Sequence, residues 1–494
     1  MQKSLEDIVA ELAFPLLSLG IAVPLLAAAG VWMSLDQKHT RTIASWAAIF
    51  SALCALETLR ESIEAGFVAL RDPLTALLFV DGLSAAPLAL FTLVASGVIL
   101  VLPKRDVTSP IVTSILLMLA STSAAYTASN LLLLFAAWAA SLGPVILCPP
   151  DRNSDGAHAT SSLLPSVMLS ASSVALAIGL GLIVWGRIQT GGEAFAVMGG
   201  AGAPGGVWAF AFLMLAMALR KGVFPFHSWV LTAFKRGPLL PAALLINGHL
   251  GAYVVARIAI PAFPEIAGAA LSIVGDLALF TAIYTSVAAL AERNPRRLIG
   301  LLVTSQASFI LAGLETATPE GVAGGLIYWM LVSVATTSLA VVYRLVEVRV
   351  GRPISGDDFL GLATHFPRLA TFFLVSGLAL VGLSGTLGFC ADELLLHGAL
   401  ESHPQLGLAL PLATALNAFH IYRLFSRLFL GSRGLALPGV PDARPVERWV
   451  LTAGLLFLIG GGLFPAKVLR LRVDAAEAIA QTATAAADLP GSFF

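Results

Sequence analysis

Charge is scarce in this chain. Asp, Glu, Lys and Arg make up 12% of its 494 residues, against about a quarter in soluble domains. Hydrophobic residues reach 57% and the mean hydropathy is +0.88, which excludes a soluble enzyme and indicates a polytopic membrane protein. Cysteine is nearly lacking: Cys54, Cys148 and Cys390 stand far apart without a CxxC pair, so neither an iron–sulfur cluster nor structural zinc is expected. Acidic and basic residues balance at 29 each with no basic tract, and nothing favours nucleic acid. No nucleophile–base pair or metal-ligand spacing occurs, and no flavin or nicotinamide signature is recognisable. No catalytic centre, cofactor or metal is therefore expected in this chain. The N-terminal MQKSLEDIVAELAF is acidic where a secretory signal is basic, so the first apolar run reads as a retained span.

What the sequence has in abundance is long apolar runs. With roughly 20 residues per crossing, about fourteen segments qualify: 12–33, 42–58, 82–103, 109–127, 129–149, 162–186, 207–234, 239–262, 265–291, 298–314, 320–345, 369–399, 405–430 and 447–466. The expected fold is all-α, a single transmembrane domain over residues 1–466 with a C-terminal tail, 467–494, laid along the membrane surface. Residues 151–161 and 191–206 are polar or glycine-rich connectors. Lys and Arg gather in the loops after odd-numbered spans, among them Lys38, Lys104, Arg105, Arg152, Lys235, Arg236, Arg296, Arg297, Arg349 and Arg433. By the positive-inside rule these loops are cytoplasmic and both termini lie outside. Arg60, Arg71, Arg187 and the tail residues Lys467, Arg470 and Arg472 run against that pattern.

Two spans are unusually long and interrupted, the seventh at Arg220–Pro225 and the twelfth at Ser384-Gly385-Thr386. Five spans separate them, so spans 4–8 (about 109–262) and 9–13 (about 265–430) read as inverted repeats with broken helices at matching positions. Proline removes a backbone donor and frees carbonyls that lipid cannot satisfy, so such a break needs protein or water beside it. Arg220 and Lys221 precede the Gly222 and Pro225 break, His249 lies mid-span in the eighth segment, and Asp392 and Glu393 follow the second break. Ionisable groups at these depths point to an ion path. Arg220 and Lys221 also fit side chains reaching for the cytoplasmic surface. His227 fits either a functional role or a cap on carbonyls freed by the break. Asp276 interrupts LSIVGDLALF in the ninth span, where a carboxylate must be protonated, paired or hydrated. Asp81 fits stabilisation of a helix N-terminus.

These residues resemble a family. Pro225-Phe226-His227-Ser228-Trp229, Asn294-Pro295-Arg296-Arg297-Leu298-Ile299-Gly300 with Ser305-Gln306, Val80-Asp81-Gly82-Leu83-Ser84 and Gly382-Leu383-Ser384-Gly385-Thr386-Leu387-Gly388-Phe389 occur in order over residues 80–430. Together they are similar to the antiporter-like, proton-translocating membrane subunits of respiratory complex I, related hydrogenases and Mrp cation antiporters. The resemblance implies fourteen helices with two inverted five-helix units. It also implies a relay of a fifth-span glutamate, a seventh-span lysine, an eighth-span lysine or histidine and a twelfth-span lysine or glutamate. Here the glutamate position falls at Ala139, the seventh-span lysine position at Arg220 with Lys221 one step on, the eighth at His249, and the twelfth near Asp392. An eleventh-span histidine is replaced by Ser333. Arginine stays protonated where lysine can be neutralised, so the substitution changes the chemistry of the relay.

The function expected from the resemblance is proton, or alternatively sodium, translocation in a prokaryotic-type inner membrane. The driving reaction would lie in partner subunits of a complex I-like or Mrp-like assembly. Arg220 and Lys221 would act as an electrostatic gate, His249 as relay, Asp392 or Glu393 as exit-side acid, and Pro225, His227 and Gly385 as support for the breaks. The missing glutamate is similar to what a membrane subunit of a DAB-type inorganic-carbon uptake complex, working beside a zinc-containing partner, would show. A third expectation is a degenerate antiporter fold that serves only as a membrane anchor.

Overall fold

The computed structural model describes residues 10–33, 39–148, 163–197, 205–402, 404–431 and 439–484. The connector 151–161 and the basic residues Lys38, Arg152 and Arg433 lie outside these. Helix dominates: α1 Leu16–Met33, α2 Thr40–Glu64, α3 Ala85–Val101, α4 Ser109–Thr127, α5 Leu131–Ala140, α6 Gly143–Leu147, α7 Leu164–Thr190, α8 Gly206–Lys221, α9 Ser228–Arg236, α10 Leu239–Asn247 and α11 Leu250–Val254. A π-helical stretch, Val255–Ala259, and a last turn, Ile260–Ala262, complete that segment. There follow α12 Pro264–Ala291, α13 Pro295–Glu315, α14 Pro319–Val350, α15 Pro367–Leu380, α16 Leu387–Ser402, α17 Pro404–Phe429, α18 Pro445–Leu463 and α19 Pro465–Thr484. Among the described residues, nine helical runs are long and apolar enough to cross a bilayer, counting Leu239–Ala262 as one.

The all-α expectation holds in the main, with one small exception. A small sheet joins β1 Ala10–Glu11, β2 Leu70–Asp72 and β3 Thr75–Val80, with β1 parallel to β2 and β2 antiparallel to β3. Pro73 and Leu74 turn the hairpin, and the Asp72 carboxylate accepts from Leu74 N at 3.0 Å and from Ser18 Oγ at 2.7 Å, which ties the turn to α1.

Burial sorts the helices. The runs Leu239–Ala262 and Pro295–Glu315 are buried throughout their most apolar windows, whereas α1 and α18 are buried over 28% and 22%. The centre is therefore α10, α11, α13 and α14, and the outer helices face lipid or other chains. Small residues let the central helices touch: a Cβ on Gly313 of α13 would stand 2.5 Å from Gly325 Cα of α14. Local capping sets where they start. Asn294 Oδ1 accepts from Arg296 N and Arg297 N, both at 3.1 Å, with Pro295 at the first helical position. Thr318 does the same for α14, accepting from Gly321 N at 3.2 Å.

Both breaks read from the sequence occur. Span seven divides into α8 and α9 and span twelve into α15 and α16. Two more breaks were not anticipated, one between α5 and α6 at Ser141-Leu142, and one between α10 and α11 at Gly248-His249. The described part of the tail is helical. α19 is amphipathic, but its apolar side packs on α14, and Arg472 is fully buried, donating to the Leu83 carbonyl at 3.0 Å.

Candidate functional site

The breaks place polar groups in the middle of the helix bundle. At the end of α8, Gly222 adopts φ +69 and the chain leaves the helical path, freeing the Leu219 carbonyl. The Trp229 indole N–H, from α9, donates to that carbonyl at 2.8 Å, so the tryptophan of the Pro225–Trp229 motif seals the break. Phe224 N donates to Thr281 Oγ1 of α12 at 3.0 Å. His227 lies beside the Phe224 ring at 5.9 Å and edge-on to Tyr284 at 5.1 Å. It is therefore packed between rings at the break.

Arg220 and Lys221 close α8 and are each only 4% exposed, so neither reaches for the surface. They diverge. Arg220 turns to α5, where its Nη2 donates to Ser141 Oγ and its guanidinium carbon lies 4.9 Å from the centre of the Trp138 ring. Lys221 turns to the eighth segment, with Nζ 2.9 Å from His249 Nδ1.

His249 corrects the picture of a mid-helix histidine. Its φ is +43, a left-handed conformation rare for a side chain with Cβ, and it marks the junction of α10 and α11. The carbonyls freed there find hydroxyls: Tyr126 OH donates to Gly248 O, and Ser333 Oγ, 3.1 Å from Asn247 O, shares its single proton between that carbonyl and Trp329 O at 2.8 Å. The Asn247 amide in turn donates to Thr336 Oγ1 and Thr337 Oγ1, both at 2.8 Å. Ser333, which stands where the resemblance calls for a histidine, thus holds the broken helix open on the α14 side. The His249 ring, 1% exposed, meets Trp329 edge-on at 5.7 Å, and its Nε2 has no protein partner.

Across α14, Tyr328 OH donates to Asp392 Oδ1. The carboxylate packs onto Gly382, whose φ of +74 opens the second break. Glu393 is exposed and lies 3.7 Å from His397 Nδ1. Asp392 therefore faces inward and Glu393 outward. Asp276 lies on the exposed side of α12, and its neighbour Gly275 packs against Glu315, within 2.5 Å of its Cδ for a built Cβ.

Sequence reasoning missed several buried polar pairings. Asp81 caps α3 by accepting from Ser84 N at 3.1 Å, and also pairs with Arg257 through Nη1 at 2.6 Å and Nη2 at 2.5 Å. Ser305, Asn417 and His420 form another set: Asn417 Nδ2 donates to Ser305 Oγ at 2.8 Å, and His420 Nε2 lies 2.6 Å from the Ser286 carbonyl. The ionisable members of these sets are separated by 134 to 176 residues in sequence from their partners, and no local pattern announces the pairing.

Chemically, the Lys221–His249 contact holds one proton between two nitrogens. Either the ammonium donates to a neutral imidazole, or the imidazole donates to a neutral amine. Among the described residues no group of three or more His, Cys, Asp or Glu side chains is arranged to hold a metal ion.

Comparison with known proteins agrees with this architecture. The family described as NADH:quinone oxidoreductase/Mrp antiporter, TM, matches residues 128–417. NADH-quinone oxidoreductase subunit 13 of Thermus thermophilus is 30% identical over 276 residues, 56% of this chain and 58% of that protein. NADH-quinone oxidoreductase subunit M of Rickettsia prowazekii is 26% identical over 268 residues, 53% of this chain and 54% of that one, so the chain spans about half the length of such relatives. In fold it is similar to a chain of respiratory complex I from Thermus thermophilus with bound NADH, at a TM-score of 0.83 and 24% identity over 94% of this chain and 99% of the other. A chain of the Mrp complex from Dietzia sp. DQ12-45-1b gives 0.80 at 20% identity, over 96% and 98%. With its helical breaks, its buried lysine–histidine contact and a family match over more than half its length, this chain belongs to the NADH:quinone oxidoreductase/Mrp antiporter family of membrane subunits.

Proposed function

We propose that this chain translocates protons as one membrane subunit of a complex I-like or Mrp-like assembly, with the driving reaction in partner subunits. The observation that carries the reading is the 2.9 Å contact between Lys221 Nζ and His249 Nδ1, buried where two broken helices meet. Breaking the helix at His249 gives the ring room to exchange partners, while Ser333, Tyr126 and Asn247 keep the break satisfied. A proton reaching His249 Nε2 is passed through Nδ1 to Lys221 or onward past α14 toward Asp392. Tyr328 and Trp329 are neighbours on α14, about 100° apart around the helix, and water bridges the remaining distance. Arg220 keeps its charge and sets the electrostatic barrier beside Lys221 rather than relaying. Asp392 is the inner exit-side acid, Glu393 belongs to the mouth, and Asp276 stands off this path.

The architecture that goes with this function is about fourteen crossings with inverted repeats over 109–262 and 265–430. Both termini lie outside a prokaryotic-type cell membrane. A second reading has support in Arg220, a buried cation with no carboxylate partner among the described residues. It makes the chain the membrane subunit of an inorganic-carbon uptake complex driven by the cation gradient.

The test is proton uptake by vesicles containing the whole complex, energised by its own partner, with native protein, His249→Gln and Lys221→Gln. The expected result is at least a tenfold fall in uptake for both variants with unchanged assembly. Equal uptake in all three removes the relay, and no uptake under any driving reaction leaves an anchoring role. Recovery of a large zinc-containing partner with the native complex supports the carbon-uptake reading, and a quinone-reductase-like set supports the first.

A further inference from the structure

Among the described residues, the buried Arg257 and several part-buried arginines are answered by carboxylates. Arg257 meets Asp81, Arg344 meets Asp106 and Glu347, Arg296 meets Glu347, and Arg349 meets Glu447. Arg472 and Arg187 use backbone carbonyls instead. Arg220 has neither. Among the described residues its acceptor is the Ser141 hydroxyl, which is itself committed as a donor to the Trp138 carbonyl at 2.7 Å. Its Nε and Nη1, like Nε and Nη2 of Arg472, meet no acceptor among the described residues, and the next residue, Lys221, adds a second basic group that Arg472 does not have beside it. Arginine cannot shed its proton to escape burial, so the charge must be answered. The C-terminal ends of α8 and α5 supply part of the answer through their aligned carbonyls. A second donor lies unanswered on the same surface: the Trp138 indole N–H is buried and has no acceptor.

We propose that the surface where the end of α8 meets α5, formed by Arg220, Trp138 and Ser141, binds a small monovalent anion of halide or carboxylate-like chemistry. The donor set is what such an anion needs. Guanidinium and indole N–H groups donate without competing as acceptors, and a ring face orients the guanidinium. Size is restricted, because Ala137 and Trp138 are buried and packed. Ala139 and Ala140, next on α5, are partly exposed, and the helix ends immediately after them, so only small side chains stand between this place and the outside of α5. The bound anion would lower the barrier that Arg220 raises beside Lys221. Its occupancy would thereby tune the charge felt by the neighbouring lysine–histidine contact, whichever reaction drives the complex.

The experiment measures the unfolding midpoint of the purified complex in sodium chloride, sodium formate or sodium bicarbonate, each titrated against sodium gluconate at constant ionic strength. The native protein is expected to show a saturable rise with one or more of the small anions. Chloride alone assigns halide chemistry, and formate or bicarbonate assigns carboxylate chemistry. The rise should vanish in Arg220→Gln, which removes the cation. It should vanish too in Ser141→Asp, which puts a carboxylate where Arg220 Nη2 already donates, and that variant should be more stable than the native protein in gluconate. If Arg220→Gln does not assemble, Ser141→Asp and anomalous density from bromide beside Arg220 decide the matter. Equal responses in native and Ser141→Asp proteins, or a gluconate effect equal to that of chloride, formate and bicarbonate, overturn the proposal.

Discussion

Alanine at Gly382 and at Gly385 should separate backbone strain from the placement of Asp392. Both glycines lie in the break between α15 and α16, with φ of +74 and +85. A left-handed conformation costs an L-residue about 1–2 kcal/mol, so both variants carry that penalty. Gly385 has nothing within 4 Å of a built Cβ, and the penalty ends there. At Gly382 the new methyl falls inside contact distance of Asp392 Oδ2 and 3.2 Å from its Cγ, so the carboxylate must move. Moving it strains or breaks the Tyr328–Asp392 hydrogen bond, and a bond to a charged group contributes about 1.5–3 kcal/mol. The expected totals are about 1–2 kcal/mol for Gly385→Ala and about 3–5 kcal/mol for Gly382→Ala. Chemical unfolding of the detergent-solubilised complex reads the stabilities, and proton uptake by vesicles reads the path. Uptake should fall sharply in Gly382→Ala and stay near native in Gly385→Ala. Equal loss in both would refute the reasoning, because it would make the flexibility of the break, not the position of the carboxylate, the controlling variable.

Ser333→Ala leaves Asn247 O short of a donor beside the His249 junction, and should destabilise by about 1–3 kcal/mol while slowing proton uptake without preventing assembly. Asp81→Asn strips Arg257 of its buried counter-charge and should cost about 3–5 kcal/mol; adding Arg257→Met to the same chain should restore part of the lost unfolding midpoint, and no restoration would mean that the capping role of Asp81 dominates. In the loop between α14 and α15, the hydrogen bonds from Arg352 hold the Asp358 carboxyl below the usual carboxylate range. A depressed folded value means that the contribution is present above the unfolded value near ~3.9 and is lost as pH falls further. Asp358→Asn should therefore lower the unfolding midpoint slightly at neutral pH and by less as the pH falls below ~3.9, and a larger effect in acid would reverse the sign of the argument.

The larger features were legible because they are written locally. Arg220–Pro225 and Ser384–Thr386 combine charge or polarity with Gly and Pro inside apolar runs, and each becomes a break between two helices. The break at His249 carries a signal as well: Asn247-Gly248 is a turn dipeptide inside an apolar segment. Gly143-Pro144 similarly marked the end of α5. The sheet was hidden because residues 75–80, ThrAlaLeuLeuPheVal, lack strict alternation and adjoin the next span. Pairings such as Arg257 with Asp81 were illegible for another reason. They depend on which helices become neighbours, and an ionisable residue facing inward looks the same in sequence whether its partner is a carboxylate, a carbonyl or a hydroxyl.

Arg472 joins α19 to the start of α3 across 389 residues of sequence, through the carbonyl of Leu83. A chain emerging from the ribosome cannot make that contact until 389 further residues have been synthesised. Earlier helices must therefore enter the membrane and wait, with the carbonyls at Gly82 and Leu83 still open, for α19 to arrive. Nascent chains stalled before Arg472 would carry an unfinished seam in the bilayer.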